Sequence, residues 1–172
     1  MNNQNEPVLF ESNRLFVRRL KASDLALFHQ LQSNAEVMKY VQLTLPDIEE
    51  NKADLAQLIA RYEQLNNDIF IYAVCLRNQA TFIGTVALVK NELGEDEIGY
   101  RLLPSVWGSG YGKEVVGALI DYCRAKGFTK LVACVAVLNR ASLSIIKHHG
   151  FYFEYTFESD LNLQEHKYSL AL

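Results

Sequence analysis

The residues best suited to chemistry crowd into one stretch of this sequence. Of nine glycines, five (Gly99, Gly108, Gly110, Gly112 and Gly117) fall within nineteen positions, three of them alternating in Val106-Trp107-Gly108-Ser109-Gly110-Tyr111-Gly112-Lys113. A strand stops before this stretch at Pro104, and a helix starts inside it. The first turn of a helix leaves backbone N–H groups unpaired, and the macrodipole adds about half a positive charge there. Glycines let that backbone approach a ligand closely, so the pattern is that of a phosphate cradle. Three alternating glycines exceed what one tight turn requires. A Rossmann G-x-G-x-x-G starting at Gly108 would need glycine where Lys113 stands. A P-loop would need glycine at Trp107 and Ser or Thr at Glu114. Both nucleotide folds are excluded.

Three further groups bear on function. Glu92, Glu95, Asp96 and Glu97 form an acidic cluster just ahead of the cradle, which favours a cationic amine substrate. His148 and His149 precede Gly150 at the end of a helical pattern, where a histidine compensates the dipole and has no triad partner. Cys75, Cys123 and Cys134 are odd in number, far apart and set in apolar segments, so they read as buried reduced thiols of a cytoplasmic protein and not as metal ligands.

The elements that position these groups follow from hydrophobic spacing. A first strand covers Leu15 to Leu20, and Ser23-Asp24 opens a helix carrying Leu25, Leu27, Phe28 and Leu31. Pro46, Asp47, Glu49 and Glu50 open a second helix, predicted to run to Asn66-Asn67. The period then changes to two through Ile69–Leu76 and Phe82–Val89, a hairpin turning at Arg77-Asn78-Gln79. A strand over Asp96–Leu103, a helix closed by Gly127, a strand over Leu131–Val137 and a helix over Ala141–His149 follow, with final strands at Phe151–Phe157 and His166–Leu172. The order is mixed α/β (α+β), about seven strands flanked by about four helices. No repeat or linker divides the chain, which reads as one domain over residues 1–172 with a flexible tail at 1–7.

Composition agrees with a globular domain: 49% hydrophobic and 22% charged residues, with 17 Lys and Arg against 20 Asp and Glu for a net charge of −3. That balance provides no basic field for nucleic acid. No apolar run reaches the roughly 20 residues of a membrane span, and the N-terminus lacks the pattern of a signal peptide.

Trp107-Gly108-Ser109-Gly110-Tyr111-Gly112 resembles the acyl-CoA pyrophosphate loop, Q/R-x-x-G-x-G/A, of the GNAT superfamily of N-acetyltransferases. Trp107 in place of Gln or Arg is similar to the branch of ribosomal-protein N-terminal acetyltransferases, which writes this segment Y-W-G-x-G-Y-A-T-E-A. Glu11-Ser12-Asn13-Arg14-Leu15-Phe16-Val17-Arg18 resembles the opening T-E-R-L-x-L-R of that branch, and Asn139-Arg140-Ala141-Ser142 through Gly150-Phe151 resembles its N-x-x-S … G-F. The three motifs cover most of the chain in the right order.

The resemblance implies a single GNAT-type domain in which the strand ending near Leu102 splays from the strand over Leu131–Val137 and admits acetyl-CoA as cosubstrate, without a metal. The backbone of Tyr100, Arg101 and Leu102 would hold the pantetheine arm as an added strand would. Gly108, Ser109, Gly110, Tyr111, Gly112 and Lys113 would hold the pyrophosphate. Asn139 would contact a pantetheine amide or cap the following helix. Ser142 would stand near the CoA sulfur. The implied reaction is direct attack by a primary amine, on a protein N-terminus or a small molecule, on the thioester. Because such amines have pKa values of about 8 to 10, a base is required at neutral pH. Glu97 is the first candidate; Asp96 would replace it if a bulge at Gly99 re-aimed the strand. Two positions depart from the superfamily: Ile146 stands where a tyrosine acid is frequent, and Cys134 where a glutamate is often found. Leaving-group protonation then falls to solvent, Ser142, Tyr152 or Tyr155. These departures also leave open a CoA-binding regulatory module without turnover. An exposed late strand would permit a homodimer.

Overall fold

The computed structural model describes residues 7–172. In chain order the elements are β1 (Phe10–Glu11), β2 (Leu15–Arg19), α1 (Leu25–Gln32), α2 (Ala35–Met38), α3 (Ile48–Arg61), β3 (Ile69–Leu76), β4 (Phe82–Lys90) and β5 (Asp96–Leu102). They continue with α4 (Tyr111–Ala125), β6 (Lys130–Ala136), α5 (Arg140–His148), β7 (Tyr152–Glu158) and β8 (Gln164–Ala171). The eight strands among the described residues form one sheet in the order β1-β2-β3-β4-β5-β6-β8-β7. The mixed α/β reading is met. The extra strand is the two-residue β1 and the extra helix is the one-turn α2, both too short to leave a periodic signal.

Every strand pair is antiparallel except β5 with β6, which runs parallel and is joined by a single register pair, Glu97↔Val132. Chain alternation sends the apolar residues to two cores. On one face α4 and α5 bury Val115, Val116, Leu119, Cys123 and Ile146 against Leu15, Val74, Val86, Ile98 and Leu102. On the other, α1 and α3 bury Phe28, Leu31 and Leu55 against Ala73 and Cys75.

Local chemistry explains several boundaries. Asp47 caps α3 by accepting from the Glu50 N–H at 2.9 Å, while Glu50 accepts from the Asp47 N–H at 2.8 Å. The start at Ser23-Asp24 becomes a 3-10 turn, because the Asp24 carboxylate is buried in a two-pronged ion pair with Arg18, both contacts at 2.8 Å. The predicted end of α3 near Asn66-Asn67 is corrected to Arg61. There the Tyr62 hydroxyl accepts from the Leu20 N–H and donates to the Ile71 carbonyl, pinning the chain to the sheet, and Leu65 is left 94% exposed. No bulge occurs at Gly99, since the β4–β5 register runs unbroken from Gly84↔Leu102 to Lys90↔Asp96. Of the flexible tail expected over residues 1–7, only Pro7 lies among the described residues.

Candidate active site

Past Glu97 the β6-facing edge of β5 has no strand partner, and the cleft so opened leads to the glycine loop. The chain leaves β5 at Leu102, makes a 3-10 turn over Pro104–Val106, and passes Trp107, whose indole N–H donates to the Leu102 carbonyl at 2.8 Å. Gly108 and Gly110 take φ of 75° and 81°, the left-handed region, and Gly110 is the N-cap of α4 without any side-chain cap. The first N–H to find a helical carbonyl is that of Glu114, on Gly110. The N–H groups of Tyr111, Gly112 and Lys113 precede it in the positive end of the helix.

Arg14 at the start of the chain braces this loop. Its Nε donates to Glu114 at 2.6 Å, its Nη1 donates to the Ser109 carbonyl at 2.9 Å, and its guanidinium lies 4.3 Å from the Tyr111 ring centroid. Glu114 also accepts from the Ser12 hydroxyl and the Arg14 N–H, both at 2.7 Å. Burial opposes the charge on Glu114, but these hydrogen bonds hold its carboxyl below the ordinary range. From the other side His149 bonds the Lys113 carbonyl at 2.8 Å and binds α5 to the start of α4. It stands outside the cleft, as expected of a helix-end histidine.

The cleft is a cavity of about 630 Å³. Of the expected donor residues, Tyr100, Arg101, Leu102, Gly108, Gly110, Tyr111, Gly112, Lys113, Asn139 and Ser142 line it; Ser109 does not, its carbonyl being turned to Arg14. Asn139 is the N-cap of α5, its side chain accepting from the Ser142 N–H at 3.2 Å, so capping and cleft lining coincide. The hydroxyls of Tyr100 and Ser142 are 3.1 Å apart and hydrogen-bonded, a link between β5 and α5 across the cleft. Gly112 makes room for it: a Cβ there would come 2.9 Å from Ile145 and 3.2 Å from the Tyr100 ring.

Glu97 does not line this cleft. It lies where β5 and β6 are still paired, accepting from Asn91 at 3.3 Å with the Cys134 sulfur at 3.8 Å. Burial pushes its carboxyl above the ordinary range against the pull of the Asn91 and Cys134 hydrogen bonds. The Cys134 thiol is itself pushed up to about 12 by burial and then by Glu97, so it is neutral at ordinary pH. Asp96 points to the opposite face and pairs with Lys90 at 2.7 Å. Ile146 is a core residue, 3% exposed. Tyr152 and Tyr155 lie on β7, separated from β5 in the sheet by β8 and β6.

Sequence reasoning missed a second cavity, of about 350 Å³, on the α1–α3 face. Its polar lining is Gln32, Asp54, Gln57, Arg61, Thr85 and Arg101, and it shares Tyr100 and Arg101 with the larger cavity. Asp54, Gln57 and Arg61 fall on α3, whose pattern announces only an amphipathic helix.

The Acetyltransferase (GNAT) domain family matches residues 14–152, most of the chain. This chain is a GNAT acetyltransferase. It is similar to the uncharacterized N-acetyltransferase p20 of Bacillus licheniformis, 32% identical over 123 residues that make up 70% of this chain and 66%, just under two thirds, of that relative. It is also similar to the uncharacterized N-acetyltransferase YoaA of Bacillus subtilis (strain 168), 28% identical over 84% of this chain and 82% of that one. Among solved structures, RimL, a ribosomal L7/L12 alpha-N-protein acetyltransferase in complex with coenzyme A, superposes with a TM-score of 0.81 at 18% identity over 96% and 98% of the two chains. A GNAT-family acetyltransferase from Bacillus anthracis gives 0.81 at 19% identity over 94% and 97%. The GNAT acetyltransferase described here thus has the family's fold over nearly its whole length, with acetyl-CoA as the acyl donor of that family. Among the described residues no helix is long and apolar enough to cross a membrane, and no cluster of His, Cys, Asp and Glu could hold a metal ion.

Proposed function

We propose that this enzyme moves the acetyl group of acetyl-CoA directly onto a primary amine, on a small molecule or a protein N-terminus, with donor and acceptor bound together. The observation that carries the reading is the meeting of two cavities at Tyr100 and Arg101, at the point where β5 has parted from β6. The larger takes the donor: the loop from Gly108 to Lys113 offers oriented N–H groups to the pyrophosphate, and the free edge of Tyr100–Leu102 pairs with pantetheine. The smaller admits the amine from the other face.

The amine must lose a proton before or during attack, and Glu97 is the base assigned to it. Glu97, Gly99 and Arg101 share one face of β5, and the four-residue step from Glu97 to Arg101 spans about 13 Å, so water carries the proton between them. Burial suits Glu97 to the task, because a carboxyl held above its ordinary range is a stronger base. Collapse of the tetrahedral intermediate breaks the C–S bond and leaves the electron pair on sulfur. Ser142 passes its proton to that sulfur, the Tyr100 hydroxyl bonded to it replaces that proton, and solvent returns one to Tyr100, a relay that would take the role left empty by Ile146. The three free cysteines fit a reducing cytoplasm. The exposed aromatic residues of edge strand β7, Tyr152, Phe153 and Tyr155, support a homodimer.

Thiol release from acetyl-CoA, followed across a panel of primary amines, tests the reading. Release that requires both substrates, with acetylated amine formed in equal amount, is expected. Tight CoA binding without release for any amine would overturn it.

A further inference from the structure

The smaller cavity has an electrostatic peculiarity. Arg101 is half-buried in its wall, where its Nη1 donates to the Gln32 side-chain oxygen at 2.6 Å. Among the described residues no carboxylate lies within ion-pairing distance of Arg101 or of Arg61 on the same wall, although ten other basic side chains have such partners. A guanidinium withdrawn from water with a neutral amide as its hydrogen-bond partner has its desolvation cost only partly offset, and here burial lowers its affinity for its own proton against the pull of Asp54. Asp54 lines the same cavity close enough to act on Arg101 through space, its carboxyl raised by burial and drawn down by Arg101 and Gln32. The cavity therefore presents two fixed positive groups and one weaker negative group, at the strand that also holds the thioester.

We infer that the smaller cavity is an anion-reading acceptor site whose substrate is a small amine bearing a carboxylate, of the size of a free amino acid. This rests on the acetyl-transfer reading above. A planar carboxylate matches the fork of Arg101 as a lone ammonium does not. Once the carboxylate is seated there, the amine of the same small molecule is confined near the gap between β5 and β6. Asp54 supplies the opposite charge that an ammonium seeks before it is deprotonated. The volume, about 350 Å³, lies at the small end of ligand sites (roughly 300–1,000 Å³), which favours a compact acceptor over a peptide segment.

The experiment compares kcat/KM for free α-amino acids with that for the matched α-amino amides. The amide holds the more easily deprotonated amine and wins where no group reads the carboxylate. The wild-type enzyme is expected to favour the carboxylate at least tenfold. Arg101→Gln should bring the ratio to one or below whatever its absolute rate, and Arg101→Lys should keep part of the preference. If Arg101→Gln does not fold, Arg61→Gln serves in its place and should lower the ratio severalfold. A wild-type ratio near one, a preference that survives Arg101→Gln, or faster acetylation of neutral peptides would overturn the inference while leaving acetyl transfer intact. Absence of thiol release with every amine would instead defeat the reading beneath it.

Discussion

Gly110 sits at φ 81°, which is its reason to be glycine, since a Cβ there would meet the Arg14 guanidinium at an ordinary contact distance of 3.5 Å. A valine there meets left-handed strain of about 1–2 kcal/mol and crowds the approach to the loop. Gly110→Val should therefore raise the acetyl-CoA dissociation constant at least about tenfold, or about 1.4 kcal/mol, by titration calorimetry; unchanged affinity in a folded variant rules out the cradle. Glu97→Gln removes the base and should lower kcat about a hundredfold. Because the carboxyl works when deprotonated and burial raises its pKa, the wild-type rate should fall as pH drops through a point above the ordinary glutamate value of about 4.3. The variant should lack that limb, and a pH profile that keeps it assigns the proton elsewhere. Tyr100→Phe breaks the hydroxyl link to Ser142 and should lower kcat about tenfold. A thioester of a more acidic thiol should narrow the deficit, because such a sulfur leaves with less need of a proton; an equal deficit with both donors refutes the relay.

At the scale of elements, the loop between β5 and α4 is held in place by the segment leading into β2. Arg14 spans the Ser109 carbonyl, the Glu114 carboxylate and the Tyr111 ring, and Arg77 in turn donates to the Ser12 carbonyl at 2.9 Å. Arg14→Ala should loosen the loop and raise KM for acetyl-CoA about tenfold while kcat at saturating donor changes less than threefold. A loss confined to kcat would show that the brace acts on chemistry and not on donor binding. Only part of this arrangement was legible in the chain. The loop was, because glycine chemistry is local and its spacing stands in consecutive residues. The partners of Tyr100 and Ser142, 42 positions apart, and of Arg101 and Gln32, 69 apart, were not, because only the sheet brings them together. The end of α3 was misplaced for the same reason: Tyr62 is bound by Leu20 and Ile71, contacts that no helical period contains.

For the molecule as a whole, the far half of the sheet is fastened by a buried cation. Lys167 on β8 is 5% exposed and pairs with Glu95 and Glu154, which also bind Lys130 at 3.0 and 3.2 Å. The hydrogen bond from Lys167 leads those that hold Glu95 down to about 2. A carboxyl depressed on folding adds stability above its unfolded pKa and loses it as the folded value is approached. The urea midpoint should therefore fall as pH drops from about 4.5 to about 2. In Lys167→Met the slope over that window should be markedly shallower; an equal slope would place the acid sensitivity in other carboxylates. The sheet has a second whole-molecule property. Strands β1 to β5 meet strands β6, β8 and β7 through the one register pair Glu97↔Val132, and the cleft proposed for the donor opens beside that pair. A cosubstrate in that place is also a structural member, and at a hundred times its dissociation constant it stabilises the folded chain by about 2.7 kcal/mol. A bound donor then serves the enzyme twice: in its turnover, and in the stability of its folded chain.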